Sequence, residues 1–163
     1  SETVLAHSML ATIPDNSITL FDKLFYSADL LVTLNQQGCN RHWLLPAWKN
    51  IASETEESYG PGDRLLKLKV SPQARKKNPS LPEFWYARAV TYEVNGVEKT
   101  VLTSLPADRY KAKEVAELFI NSLKAAITVV AMFSPLIIYC KRRRALSYIC
   151  TFQCPGRVGT VYY

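Results

Sequence analysis

Few residues in this chain of 163 combine a type and a spacing that could do chemistry. Asp22 comes first. It closes the run Ser17-Ile18-Thr19-Leu20-Phe21, whose residues favour an extended, buried strand. A carboxylate just past a buried strand can point into a cleft and hold a cation. The same residue can instead close a turn on a backbone amide, a purely structural role. The triplet Arg75-Lys76-Lys77 suits a phosphate backbone, or else a solvated loop, and Lys49 offers one more cation of the same kind. Metal-binding spacing is missing. Cys39, Cys140, Cys150 and Cys154 form no CxxC pair, and His7 and His42 lie far from the last three, so no zinc site is expected. Free thiols in a reducing compartment are therefore expected.

Charge narrows the partners. The formal net charge is +6, from 20 basic and 14 acidic residues. Six of the basic residues (Lys124, Lys141, Arg142, Arg143, Arg144 and Arg157) lie beyond residue 117, where there is no Asp or Glu. The first 117 residues are thus electroneutral, with 14 charges of each sign. A high overall pI is then no sign that the body of the protein is a nucleic-acid surface, although a local basic cluster can still be one. Residues 1–10 have no basic start ahead of a long apolar core, so no signal peptide is expected there.

The elements that would position Asp22 follow from periodicity. Residues 1–10 fit an amphipathic helix, and Pro14-Asp15-Asn16 a turn. Residues 18–21 read as a strand buried on both faces, as in a sheet covered by helices. Residues 26–37 read as a helix with Leu30, Leu31 and Leu34 inward, Ser27 as N-cap and Gly38 just past its end. Residues 42–46 make a second buried strand. Strand, helix, strand predicts a parallel pair joined by a right-handed crossover. It would place Asp22 and Trp48-Lys49 on one edge of the sheet, where open α/β sheets hold their sites.

Residues 53–58 are polar and acidic and read as a loop, followed by a turn at Gly60-Pro61-Gly62-Asp63. Strands are expected at 65–70, 84–94 and 97–105, with a surface loop or short helix at 72–82. Asn95-Gly96 between two β-rich runs predicts a type I′ hairpin. Residues 60–105 are then a small antiparallel β module, and 110–123 a helix with Val115, Leu118 and Phe119 on its apolar side.

Four of these stretches resemble bacterial DDE transposases of the insertion-sequence-four family. Leu20-Phe21-Asp22-Lys23-Leu24-Phe25-Tyr26-Ser27 is similar to the family's second-aspartate motif. Asn40-Arg41-His42-Trp43-Leu44-Leu45-Pro46 is similar to its next strand. Val101-Leu102-Thr103-Ser104-Leu105 and Ala112-Lys113-Glu114-Val115-Ala116-Glu117-Leu118-Phe119 follow in the family's order. The resemblance covers residues 1 to about 119. It implies a partial ribonuclease-H-like α/β domain, a βαβ core with an inserted antiparallel β module at about 60–105 and a C-terminal helix. It also implies DNA transposition: three carboxylates holding Mg²⁺ to cut and join phosphodiester bonds at insertion-sequence ends. By resemblance Asp22 is the middle carboxylate, catalytic and metal-binding, with Leu24 where the family commonly has Gly. The implied partners are DNA and another transposase subunit, with no small-molecule substrate, in the bacterial cytoplasm at the nucleoid.

The other two carboxylates are not found. The first belongs to an earlier strand, and no acidic residue before Asp15 lies on a strand-like run. The third belongs to a helical Tyr, Arg, Glu, Lys signature. Its positions here are Phe119, Ser122, Ala126 and Phe133. Resemblance and acidic residues stop together near residue 119, which suggests a shift of reading frame. Residues 120–163 then form an atypical apolar and basic tail. One carboxylate of three leaves enzyme status open, and the chain alone is expected not to cut DNA. Two other functions stay open: a non-catalytic DNA- or transposase-binding remnant, and a small membrane-associated protein. The last would use the apolar run 125–140 and the basic cluster 141–144, although about 20 residues are needed to span a bilayer.

Overall fold

The computed structural model describes residues 8–129, 138–142 and 145–153, with side chains described for residues 8–122. The expected helix at 1–10 lies mostly outside the described residues. Its described end is helical and runs into a 3-10 turn at Leu10–Thr12.

One mixed α/β sheet carries the fold. β1 (Ser17–Phe21) is buried at every position. It pairs in parallel with β2 (Arg41–Pro46), with Ser17 opposite Arg41 and Leu20 opposite Leu44. The crossover is α1 (Ala28–Gln36), capped by the Ser27 hydroxyl, which accepts from the Leu30 amide. The chain leaves α1 through Gly38 at φ +110°. A Cβ there would run into the Asp15 carboxylate and the Arg41 guanidinium. Those two groups are paired at 2.9 Å and tie the entry of β1 to the entry of β2. Glycine is thus required both by the backbone angle and by the ion pair beside it.

The antiparallel part differs from expectation in one element. Residues 53–58 are not a loop: Glu54–Gly60 is β3, paired with β4 (Asp63–Lys69) through irregular register. All its residues but Gly60 are exposed, so burial gives it no alternating pattern. Pairing along one edge makes it a strand, and its glutamates are the charges that keep such an edge from further pairing. After α2 (Pro72–Lys77) come β5 (Phe84–Val94) and β6 (Val97–Thr103). Asn95 and Gly96 have φ of +53° and +73°, as the type I′ turn requires. β6 also pairs antiparallel with β2, with Leu45 opposite Leu102. The β module therefore continues the sheet of the parallel pair. It is no separate layer.

Helices cover both faces, which is why β1 and β2 are apolar without alternation. On one face Leu30, Leu31 and Leu34 of α1 pack with Phe21, Trp43, Leu45 and Leu102. On the other, Val115 and Phe119 of α3 (Ala112–Val129) pack with Ile18, Leu20, Leu44 and Val101. Two further strands, β7 (Ile138–Arg142) and β8 (Ala145–Gln153), extend the sheet past β1, with β8 antiparallel to it. The sheet order is β3-β4-β5-β6-β2-β1-β8-β7. The apolar run 125–140 is thus divided between the end of α3 and the start of β7, with residues 130–137 outside the described residues. Among the described residues no helix is long and apolar enough to cross a membrane.

Candidate functional site

Asp22 stands where the βαβ unit predicts, immediately after β1 on the carboxyl edge of the parallel pair. It is half-buried. It caps a 3-10 turn at Lys23–Phe25, and its Oδ1 accepts from the Leu24 amide at 2.9 Å. The residue therefore does fill the structural role available to an Asp at a strand end. That bond occupies one carboxylate oxygen in a turn. Leu24 is 39% exposed and takes no part in the core.

Beside this turn lies an open cleft of about 840 Å³. Its walls come from Lys23, from the end of β2 with Trp48 and Lys49, from Lys99 and Thr100 of β6, and from Phe119 of α3. β6 reaches this edge because the Ala47 amide donates to the Thr100 carbonyl at 2.9 Å. Lys23 Nζ sits over the Trp48 ring, 4.8 Å from its centroid. Asp22 and Lys49, singled out by sequence, thus meet at one edge. The α3 segment comes to the same edge. Position 126 is seven residues beyond Phe119 in the same helix. Ala126 and Ser122 occupy α3; Phe133 lies outside the described residues.

Arg75, Lys76 and Lys77 form the last turn of α2 and are all exposed. Ser71 caps the helix, accepting from the Ala74 amide at 3.2 Å. Asn78 donates to Asp29 at 2.7 Å and holds α2 against α1. Lys77 shares a pocket of about 330 Å³ with Leu24, Phe25 and Tyr26, the residues that follow Asp22. Lys77 is therefore near the Asp22 turn. Arg75 and Lys76 line a different hollow, with Lys69 and Glu83.

Sequence reasoning missed two polar groups that lie toward the amino end of β2, away from the Asp22 turn. Arg88 of β5 and Asp63 of β4 form a bidentate pair, Nε to Oδ1 at 2.7 Å and Nη2 to Oδ2 at 2.6 Å. Arg88 Nη1 also donates to the carbonyls of Tyr110, at 2.7 Å, and Leu105, so it fixes the approach to α3. An Arg inside an otherwise apolar strand was the available signal. Ser104 is the other group. Its hydroxyl accepts from the Trp43 amide at 3.0 Å and lies 3.3 Å from His42 Nδ1. Together with Thr103, which donates to the Trp43 carbonyl at 2.7 Å, it pins β6 to β2.

Burial pushes the His42 imidazole below its ordinary range, its contact with Ser104 opposes this, and the Arg109 charge adds to the lowering. The unfolded chain then takes up a proton first as pH falls below about 6.5. His42 should therefore cost stability as pH drops from about 6.5 towards its lowered folded value. Urea midpoints at pH 7.5 and 5.5 should show this fall, and His42→Gln should flatten it. An unchanged slope in the variant would assign the fall to other groups.

Comparison with known proteins bears on what this edge belongs to. No family model and no solved structure matches the chain. The chain is 40% identical over 120 residues to the transposase InsG of insertion sequence element IS4 from Escherichia coli K12. That match covers 73% of this chain and 27% of InsG. It is 91% identical over 57 residues to InsZ of the same strain, a protein that also carries a transposase name. Those residues are 35% of this chain and 19% of InsZ. The chain thus spans well under a third of either relative. Over that span it is a relative of part of the transposases of the insertion-sequence-four family.

Proposed function

We propose that this chain is part of the catalytic domain of a DNA transposase, built on a ribonuclease-H-like core and derived from an enzyme that cuts and joins DNA at insertion-sequence ends. The observation that carries this reading is the packing of the four separate stretches about β1, the strand that Asp22 follows. β6, β2 and β1, which hold three of them, are adjacent in the sheet. The fourth, in α3, packs on the face formed by Ile18, Leu20 and Leu44. Segments up to about 90 residues apart in the chain are thereby packed on β1 and its neighbours, and Asp22 follows β1 at the carboxyl edge, where α/β sheets hold their sites.

In this reading Asp22 is the middle metal-binding carboxylate, and Mg²⁺ is the ion that hard oxygen donors of this kind suit. The residues present do not fit a two-metal site. Among the described residues no three His, Cys, Asp or Glu side chains are grouped to hold an ion. Positions 122 and 126 are Ser and Ala. The chain alone is therefore proposed to be inert in cleavage, with residues from about 120 onward read out of frame. It would act with DNA or with a second transposase subunit at the nucleoid. A non-catalytic DNA-binding role is the reading favoured by the exposed cations of α2.

A nicking assay with Mg²⁺ on insertion-sequence ends tests the inert chain. No product is expected. Product that disappears with Asp22→Ala would overturn inertness and leave the transposase reading stronger. Filter binding to the same DNA, with Arg75, Lys76 and Lys77 all changed to Ala, tests the contact surface. A shallower salt dependence is expected, since each neutralised phosphate adds to the slope. An unchanged slope would remove α2 from the interface.

A further inference from the structure

Among the described residues the sheet ends at β3 on one side and at β7 on the other. Each of these strands pairs on one side only, β3 with β4 and β7 with β8. The outer row of backbone amides and carbonyls on each is therefore open to a further strand. The two edges differ in charge. β3 carries Glu54, Glu56 and Glu57, all exposed. Among the described residues none of the three lies within ion-pair distance of a cation. β7 carries Lys141 and Arg142 and no acidic residue, and Arg143 and Arg144 follow it in sequence.

Charge decides which pairings are open. A second β3 laid on β3 would set carboxylates against carboxylates. A second β7 laid on β7 would set cations against cations. Like charges across a strand pair are destabilising, so both symmetric arrangements are disfavoured. β3 against β7 matches opposite signs. The glutamates that guard β3 against its own kind thus select a cationic strand. We propose that β7 of one copy of this chain adds to β3 of another, joining two sheets by backbone hydrogen bonds and setting Lys141 and Arg142 against the β3 glutamates. Strand addition of this kind takes its affinity from the main chain and its specificity from the side chains. The contact is heterologous: each copy uses one edge and keeps the other free, so copies add in series. Register shifts between Thr55 and Glu57, and between Ser58 and Gly60, hold the added strand to a short run. The association is therefore weak and rises with concentration.

Sedimentation velocity of the full chain, from micromolar to near-millimolar concentration, tests the contact. A series of species running past the dimer is expected, and about 0.5 M salt should shift it back towards monomer. Charge reversal separates this contact from unspecific clumping. One chain carries Glu56→Lys with Glu57→Lys, so that both its edges are basic. A second carries Lys141→Glu with Arg142→Glu, so that both its edges are acidic. Each alone should associate about tenfold more weakly than the unsubstituted chain, and an equimolar mixture of the two should recover the series. Hydrogen exchange on the unsubstituted chain needs no variant, and protection of the β3 amides should rise with concentration. A chain that stays monomeric throughout would overturn the proposal. So would a series that stops at the dimer, a mixture no more associated than its parts, or β3 amides whose protection does not change with concentration.

Discussion

Changing Arg88 to Ala should destabilise the fold by about 3–5 kcal/mol, the scale seen when one partner of a buried ion pair is removed. Arg88 and Asp63 are 3% and 10% exposed at their side chains. The variant would leave the Asp63 carboxylate without its two charge-assisted bonds, and water cannot readily replace them there. It would also remove the bond that the Tyr110 carbonyl accepts from Arg88 at 2.7 Å. Arg88→Lys should recover only a small part, because one ammonium cannot reach two carboxylate oxygens in a fork and two backbone carbonyls as well. Urea denaturation followed by far-ultraviolet circular dichroism would measure both. A loss below about 1 kcal/mol in Arg88→Ala would mean that the pair is solvated, with the worth of a surface ion pair. Since Arg88 sets the entry to α3, the variant should also loosen that helix on the sheet.

Phe119 to Ala is expected to cost about 3–5 kcal/mol, the usual range for truncating a buried aromatic residue. Phe119 is 2% exposed and packs with Ile18, Leu20, Leu44 and Val115. Its ring meets Tyr92 edge-on at 6.4 Å, a favourable aromatic geometry that the change removes. It is also the last described side chain of α3 in the wall of the cleft. Truncation should therefore both weaken the seat of α3 and enlarge the space beside Trp48. Leu118→Ala offers a comparison on the same helix turn, since Leu118 is only partly buried against this cluster. A smaller loss at Phe119 than at Leu118 would show that α3 does not pack as described.

What could be read ahead of the structure was what local chemistry decides. The Asn95-Gly96 hairpin, the Ser27 cap and the strands at 18–21, 42–46 and 84–94 each carry their signal within a few residues. β3 carried none, because Glu54–Gly60 becomes a strand only by pairing with β4. The Arg88–Asp63 pair spans 25 positions, so neither residue announces the other. α3 runs to Val129, past the expected end at 123, because an apolar stretch with no helix breaker continues the helix. At the site, the placement of Asp22 followed from the βαβ pattern. The cleft did not, since Lys23, Trp48, Lys99 and Phe119 come together only once β6 pairs with β2 and α3 crosses the sheet.

The central claim is that Asp22 is one third of a carboxylate site whose helical third was lost when the reading frame changed near residue 120. Reading the DNA downstream of codon 119 in all three frames tests it most directly. The account predicts that a neighbouring frame continues α3 with an Arg three positions after residue 119, a Glu four further on and a Lys seven after that. If no frame encodes that signature, the tail is this protein's own, and the claim that it replaced a catalytic helix is wrong.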